Sequence, residues 1–275
     1  MNRIDPFLAP ASAMPAMPEV AFRLLKSYQR DDLALSELSG LIAHDQALSA
    51  KVLRLANSAR YSPRREMSSL TDATACLGLR TLRDLTLSAA MAGAFPALPG
   101  MDRMAFWRAN LATGCYAQVL ARALGVDADV AYLGGLMLRT GQVLMTMVSP
   151  SVMSDVARLA DDVDSRIGYE HSFLSCSHPQ VTAALAKHWR FPDDLVTAFG
   201  AAADPMASRP FCVLGATLRL ASVVTEARDA GLDTGAVLTD RHGRLLAHLQ
   251  LDLDWLAANL PDHALASAGA DLMMG

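Results

Sequence analysis

Apolar residues recur at intervals of three and four along almost all of this 275-residue chain, and no stretch of convincing length alternates apolar with polar. A period near 3.6 buries one stripe of a helix, whereas a half-buried strand needs a period of two. The chain is therefore expected to be all-α. With 52% apolar and 19% charged residues it has the material for a core, and disorder is excluded. Aromatic residues at 6% argue against a β-sandwich or a base-stacking platform. A net charge of −4 excludes whole-molecule binding to a polyanion.

The helices are read from periodicity and caps. Pro15 and Pro18 set a turn, and a helix runs from Glu19 to about Tyr28. Asp31-Asp32 starts the next, with Leu35, Leu38, Leu41 and Ile42 as its stripe. Asp45 caps a third that carries Leu48, Val52 and Leu55. Ser69-x-x-Asp72 resembles a capping box with the shorter acid. Gly78 ends that helix, and another runs from Leu79 to about Ala94.

The segment from Pro96 to Gly100 is the clearest internal boundary. Beyond it, helices are expected over 102–124, 129–148 (entered through Asp127), 151–159, 169–173, 178–189, 193–203, 211–228, 245–250 and 253–259. Residues 1–14 read as a flexible tail.

No signal peptide opens the chain, and the longest uncharged run, Leu85 to Met101, is interrupted by Pro96, Pro99, Gly93 and Gly100. Cys76, Cys115, Cys176 and Cys212 lie far apart without a Cys-x-x-Cys and read as buried free thiols of a reducing cytoplasm. A cytoplasmic protein without membrane contact is expected.

The chemistry-bearing residues form no familiar catalytic set. No two histidines stand at i, i+4, and neither Gly-x-Ser-x-Gly nor a strand-linked Gly-x-Gly-x-x-Gly is present. His44-Asp45 sits at a helix junction, where Asp45 is better explained as a cap. Gly134-Gly135 lies within an apolar helix and is expected to permit close helix packing rather than to cradle phosphate.

Several stretches taken in order resemble the HDOD family, the HD-related output domain of bacterial signalling proteins. They are Met14-Pro15-Ala16-Met17-Pro18-Glu19-Val20-Ala21, then His44-Asp45-Gln46-Ala47-Leu48 running on to Leu53-Arg54-Leu55-Ala56-Asn57-Ser58. Ser68-Ser69-Leu70-Thr71-Asp72-Ala73 with Leu77-Gly78-Leu79-Arg80 follows, and then Phe106-Trp107-Arg108. His178-Pro179-Gln180-Val181 with Trp189-Arg190-Phe191-Pro192 completes the set. The resemblance implies an N-terminal helical subdomain, residues 15–96, packed on a degenerate HD-like helical bundle, residues 101–205. A helical C-terminal extension over 206–275 would follow this 15–205 HDOD domain.

The family is related to metal-dependent HD phosphohydrolases, whose His and Asp side chains hold metal ions that activate water. On this resemblance Ala109 stands where the first His of such an enzyme falls. Leu138-Arg139 replaces the His-Asp dyad, Ala202-Ala203 stands where the family often has a His pair, and His178 alone survives at a ligand-like position. One imidazole does not hold a hydrolytic metal, and Arg139 brings a fixed positive charge that opposes a cation. No metal, no cofactor and no enzymatic activity are therefore expected. A buried Arg139 is expected to pair with a carboxylate such as Asp129 or Asp204.

What the resemblance implies is a non-catalytic signalling or scaffold protein that works through protein–protein contacts. Its partners would be signalling proteins in trans, namely a response regulator, a diguanylate cyclase or phosphodiesterase of cyclic-di-GMP signalling, or a kinase. The alternative is a regulator that binds a nucleotide or phosphate ligand in the vestigial pocket of Ala109, Leu138, Arg139, His178, Ala202 and Ala203, and a residual phosphohydrolase ranks below it. Basic residues are concentrated between Lys51 and Arg83 in an otherwise acidic chain. Arg60, Arg64, Arg65, Arg80 and Arg83 are the candidate partner-binding surface. Nucleic acid is not expected as a partner, because the helix after Gly78 turns Leu79, Leu82 and Leu85 to the core.

Overall fold

The computed structural model describes residues 3–8, 19–28, 35–57 and 66–271. All regular structure among them is helical. In chain order the helices are α1 (Asp5–Leu8), α2 (Glu19–Tyr28), α3 (Leu35–Ala43), α4 (Gln46–Ala56), α5 (Leu70–Ala94), α6 (Arg103–Leu124), α7 (Ala128–Met137) and α8 (Thr140–Val148). They continue as α9 (Pro150–Leu159), α10 (Val163–Leu174), α11 (His178–His188), α12 (Asp193–Ala201), α13 (Val213–Asp229), α14 (Thr234–Leu249), α15 (Leu253–Asn259) and α16 (His263–Ala266).

The caps follow the sequence closely. Asp45 Oδ1 accepts from the Leu48 amide at 3.0 Å, and Ser69 Oγ accepts from the Asp72 amide at 3.0 Å. Each satisfies an amide that has no partner within its own helix. The Asp72 carboxylate does not complete a capping box; it accepts from the Ser68 hydroxyl at 2.9 Å. Gly78 interrupts α5 at φ 73°, a left-handed conformation that glycine adopts without penalty.

Beyond the short α1 and α16, which no periodicity announces, the main departures from expectation are at 129–148, α10 and α14. The apolar run 129–148 is broken at Leu138-Arg139, where Arg139 has φ −89° and ψ −1°. Helix α10 begins six residues before the expected Tyr169, because the Asp162 side chain and Ser165 form a reciprocal capping box. Helix α14 begins at Thr234, far ahead of Leu245, with Asp233 as its cap and a kink at His242. Its apolar face is thin, only Leu238, Leu245 and Leu246 being buried, so periodicity alone misses its first half.

The chain divides into two compact units. One contains Pro15–Ala97, Asp102–Leu111 and Ala264–Gly275. In it α5 is the central helix, packed by α2, α3 and α4, with Leu24, Leu38, Ile42, Val52, Leu55 and Leu82 fully buried. Asn57 closes the segment after α4. Its amide donates to the Met67 carbonyl at 2.8 Å and its carbonyl oxygen accepts from the Met67 amide at 2.6 Å. Trp107 is buried against Phe95 and Phe106, the latter edge-on at 5.3 Å.

The other unit contains Met1–Met14, Leu98–Met101 and Ala112–His263. Its central helix is α13, buried from Gly215 to Thr225 and packed by α7, α10, α12 and α14. Residue 205 lies inside this unit, which continues to His263. Residues 1–14 are not all a loose tail. Helix α1 packs on α8 and α11 and buries Phe7 to 5% exposure. At Gly135 a Cβ would lie 2.7 Å from the Gly114 Cα, so the paired glycines permit backbone contact between α6 and α7, as the sequence indicates.

Candidate functional site

Leu138-Arg139, which the sequence resemblance aligns with a metal-binding dyad, takes part in an internal ion pair. Arg139, at the break between α7 and α8, is buried to 7% exposure. Its Nη2 donates to Ser222 Oγ at 3.0 Å, and its Nη1 lies 3.4 Å from Glu226 Oε1. The carboxylate is thus Glu226 of α13, not Asp129 or Asp204. The second oxygen of Glu226 accepts from the Val163 amide at the start of α10. A guanidinium and a helix N-terminus therefore share one carboxylate, which compensates the cost of burying the charge.

Next to this pair, Thr182 of α11 holds the helix break. Its hydroxyl donates to the Leu138 carbonyl at 2.9 Å and accepts from the Gly141 amide at 2.8 Å. The Leu138 side chain is in the core. Gly141 is required here, because a Cβ would stand 2.2 Å from the His178 carbonyl oxygen.

His178 and Glu170 are both fully buried. The Glu170 Oε2 accepts from the His178 backbone amide and from Nδ1, each at 2.7 Å. Burial pushes the imidazole pKa below its ordinary value, and the charges of Arg139 and Arg166 push the same way, against the opposing pull of Glu170. With its proton on Nδ1, the neutral ring keeps a lone pair on Nε2, which has no hydrogen-bond partner among the described residues. One such atom is a single metal ligand. No group of three or more His, Cys, Asp or Glu that could hold a metal ion occurs among the described residues.

A second polar cluster, which sequence reasoning did not single out, lies where α10, α13 and α14 meet. Asp164 pairs with Arg219 Nη2 and lies 3.2 Å from His242 Nε2. Burial alone would raise the Asp164 pKa, but the adjacent His242 ring and the Arg219 charge outweigh it and hold the carboxyl at about 2. The neighbouring Asp162 pairs with Arg241 at 2.6 Å. These three residues of the cluster are separated by up to 78 positions in sequence, from Asp164 to His242. No local motif could have announced them.

This cluster forms part of the wall of an open cleft of about 570 Å³. Ser177 and Gln180 at the start of α11 also line it, with Ala203 and Asp204 after α12. Apolar walls come from Ile167, Pro205, Met206 and Leu245. Of the expected pocket residues, Ala203 lines this cleft, and the carbonyl of Ala202 lies 3.5 Å from Arg219 Nη1. Leu138, Arg139 and His178 do not line it; they belong to the buried network. Ala109 is half-buried on the part of α6 that belongs to the other unit.

The basic segment is only partly described. Arg60, Arg64 and Arg65 lie outside the described residues. Arg80 is exposed, but Arg83 is buried to 8% exposure and is not available to an outside partner. Every residue of α5 from Leu82 to Ala92 is buried, so Arg83 lies inside whatever its face, which sequence charge alone does not reveal. Of the cysteines, Cys115 and Cys176 are buried and Cys212 is half-buried, whereas Cys76 is exposed, contrary to expectation. Burial, with the nearby Glu170 carboxylate, pushes the Cys176 thiol up to about 11. No helix among the described residues is long and apolar enough to cross a membrane.

The model of the HDOD domain matches residues 14–205. An uncharacterized protein of Treponema pallidum is 28% identical over 188 residues, which is 66% of this chain and 36% of that relative. The chain thus spans little more than a third of that relative's length. Among solved structures, one from Shewanella amazonensis, named "Putative phosphohydrolase", is 28% identical with a TM-score of 0.78 and covers 98% of each chain. An HDOD domain protein with unknown function from Geobacter sulfurreducens is 25% identical with a TM-score of 0.80, again over 98% of each chain. A protein of Marinobacter aquaeolei shares the fold at 23% identity and a TM-score of 0.76, over 95% of this chain and 60% of its own.

Proposed function

We propose that this chain, which belongs to the HDOD family, is a non-hydrolytic signalling domain that acts by binding other signalling proteins in trans. The observation that carries the reading is the Arg139–Ser222–Glu226 network. On the resemblance, Leu138-Arg139 stands where a related hydrolase has its metal-binding dyad, so the network would put a fixed cation there. A divalent ion there would face a fixed guanidinium and compete with it for Glu226. His178 supports the same reading, because its Nδ1 is committed to Glu170 and a single Nε2 remains. The similarity to a solved protein named as a phosphohydrolase favours the opposite reading, so activity is the first thing to test.

The test has two arms. Purified protein supplied with manganese or magnesium is expected to release no phosphate from bis-p-nitrophenyl phosphate or from cyclic dinucleotides. Release that scales with protein and disappears in His178→Ala would overturn the proposal. Native mass spectrometry of the protein taken gently from its host is expected to show a stoichiometric increment of protein size. The bound species is expected to be a response regulator, a kinase, or a cyclase or phosphodiesterase of cyclic-dinucleotide signalling. A mass equal to the bare chain under all gentle conditions counts against the partner-binding role.

A further inference from the structure

We infer that the cleft walled by α10, α11, α13 and α14 is a binding site for a nucleoside monophosphate, distinct from the buried Arg139 network. The inference rests on the non-hydrolytic reading above, because the ligand is to be held and not cleaved.

Size comes first. At about 570 Å³ the cleft is far larger than a single ion needs. It falls within the range of roughly 300–1,000 Å³ typical of sites for organic ligands. It is also walled by apolar side chains of Ile167, Met206 and Leu245, against which a ring can lie.

The polar groups then narrow the chemistry. Arg219, 6% exposed, gives Nη2 to Asp164, while its Nη1 has only the long 3.5 Å contact with the Ala202 carbonyl. The guanidinium therefore has capacity for one more oxygen. Gln180 uses Oε1 to accept from the amide and hydroxyl of Ser177, at 2.9 and 3.2 Å, which leaves its NH2 as a donor. Together these groups ask for an oxyanion. Asp204 supplies the opposite function. One of its carboxylate oxygens accepts from the Ala207 amide at 3.2 Å, and the other has acceptor capacity for N–H donors.

Charge decides against a bare anion. Asp164 and Asp204 share the cleft with a single guanidinium, that of Arg219, so its fixed charges do not sum to a positive site. Inorganic phosphate would meet two carboxylates with nothing to offer them. A ligand with both an oxyanion and N–H donors satisfies both sets, and the neighbouring N1–H and N2–H donors of guanine match a carboxylate as a pair. Guanosine 5′-monophosphate is therefore the probe of choice.

Calorimetric titration of the full chain is expected to show one guanosine 5′-monophosphate bound per protein, with inorganic phosphate at least tenfold weaker. Ala203→Phe fills the cleft without removing a polar partner and is expected to weaken binding tenfold or more. Its thermal midpoint should stay close to that of the parent. Asp204→Asn, at an exposed position, should remove the preference over adenosine 5′-monophosphate. No binding at millimolar nucleotide, equal affinity for inorganic phosphate, or an unaffected Ala203→Phe variant would each overturn the inference and leave the non-hydrolytic reading intact. Recovery of guanosine and free phosphate from the titration cell would overturn both.

Discussion

Arg139 Nη2 donates to Ser222 Oγ at 3.0 Å, across 83 positions of sequence and from the break between two helices to the middle of a third. The same guanidinium approaches Glu226 one turn further along α13. A guanidinium so placed ties α7 and α8 to the central helix of their unit.

Removing one member of this network should cost more than removing the charge pair. Arg139→Met leaves Glu226 with the Val163 amide as its hydrogen-bond partner and the charge of Arg166 nearby, and a loss of about 2 kcal/mol is expected, since Glu226 keeps partial contact with water. The double variant Arg139→Met, Glu226→Gln should recover more than half of that loss. Urea unfolding of the two single variants and the double variant measures the coupling. Equal stability of all four proteins would show that the pair contributes nothing.

Gly141 is predicted to be the least replaceable glycine of the α8–α11 contact. In Gly141→Ala the added methyl would stand 2.2 Å from the His178 carbonyl oxygen and 2.9 Å from Thr182 Oγ1. Backbone must move, so destabilisation of about 3 kcal/mol or loss of folded yield is expected. Gly168→Ala, at a position with open space around its Cβ, serves as the control and should be nearly neutral. Thermal melts of the two variants side by side decide the point.

The buried imidazole of His178 should make the fold sensitive to mild acid. Its folded pKa lies below the ordinary value of 6.5, so between the two the unfolded chain binds the proton first. Stability is then fully present above about pH 6.5 and declines as the pH falls below it. His178→Asn keeps a donor close to the position of Nδ1 for Glu170 but does not titrate. It should be less stable at pH 7, with a flatter profile between pH 7 and 5. A parent protein with the same slope as the variant would exclude His178 as the source.

Tyr116 gives the complementary test at high pH. It is fully buried, its hydroxyl lies 2.8 Å from His263 Nδ1, and His263 Nε2 is 2.7 Å from Asp229 Oδ1. Burial raises the phenol from 10.0 to about 12, although Arg228 opposes the shift. The neutral phenol therefore stabilises the fold below pH 10, and that contribution is lost as the pH rises from 10 through about 12. The slope should be about 1.4 kcal/mol per pH unit in that window and absent in Tyr116→Phe. Equilibrium unfolding at a series of alkaline pH values reads it directly.

How much of this was legible in the sequence depends on the distance over which each feature is encoded. The caps at Asp45 and Ser69 and the turn at Gly78 involve atoms within three residues, and periodicity with turn chemistry located them. Helix α14 was half missed because its first turns bury little, so its stability comes from packing on α13 and from the Asp233 cap. The Asn57 and Trp107 motifs that carried the family resemblance have visible structural work: one closes the segment to Met67, the other fills a core.

The candidate site divides in the same way. That Arg139 could not serve a metal was evident from its charge, which no fold removes. Which carboxylate would meet it was not, because Glu226 is 87 residues away while Asp129 is nearby in sequence. At Arg83 the difference runs the other way: a basic residue in a basic segment reads as surface, and α5 buries it.

The all-helical class, most helix limits and the HDOD motifs are encoded locally, because side-chain identity, helical period and capping act within a turn or two. Helix packing sets the rest: the residues up to 263 complete the core of one unit, Glu226 pairs with Arg139, and Asp164, Gln180, Asp204, Arg219 and His242 share a cleft. Those relations join residues tens of positions apart, and they exist only once helix packing has brought the residues together.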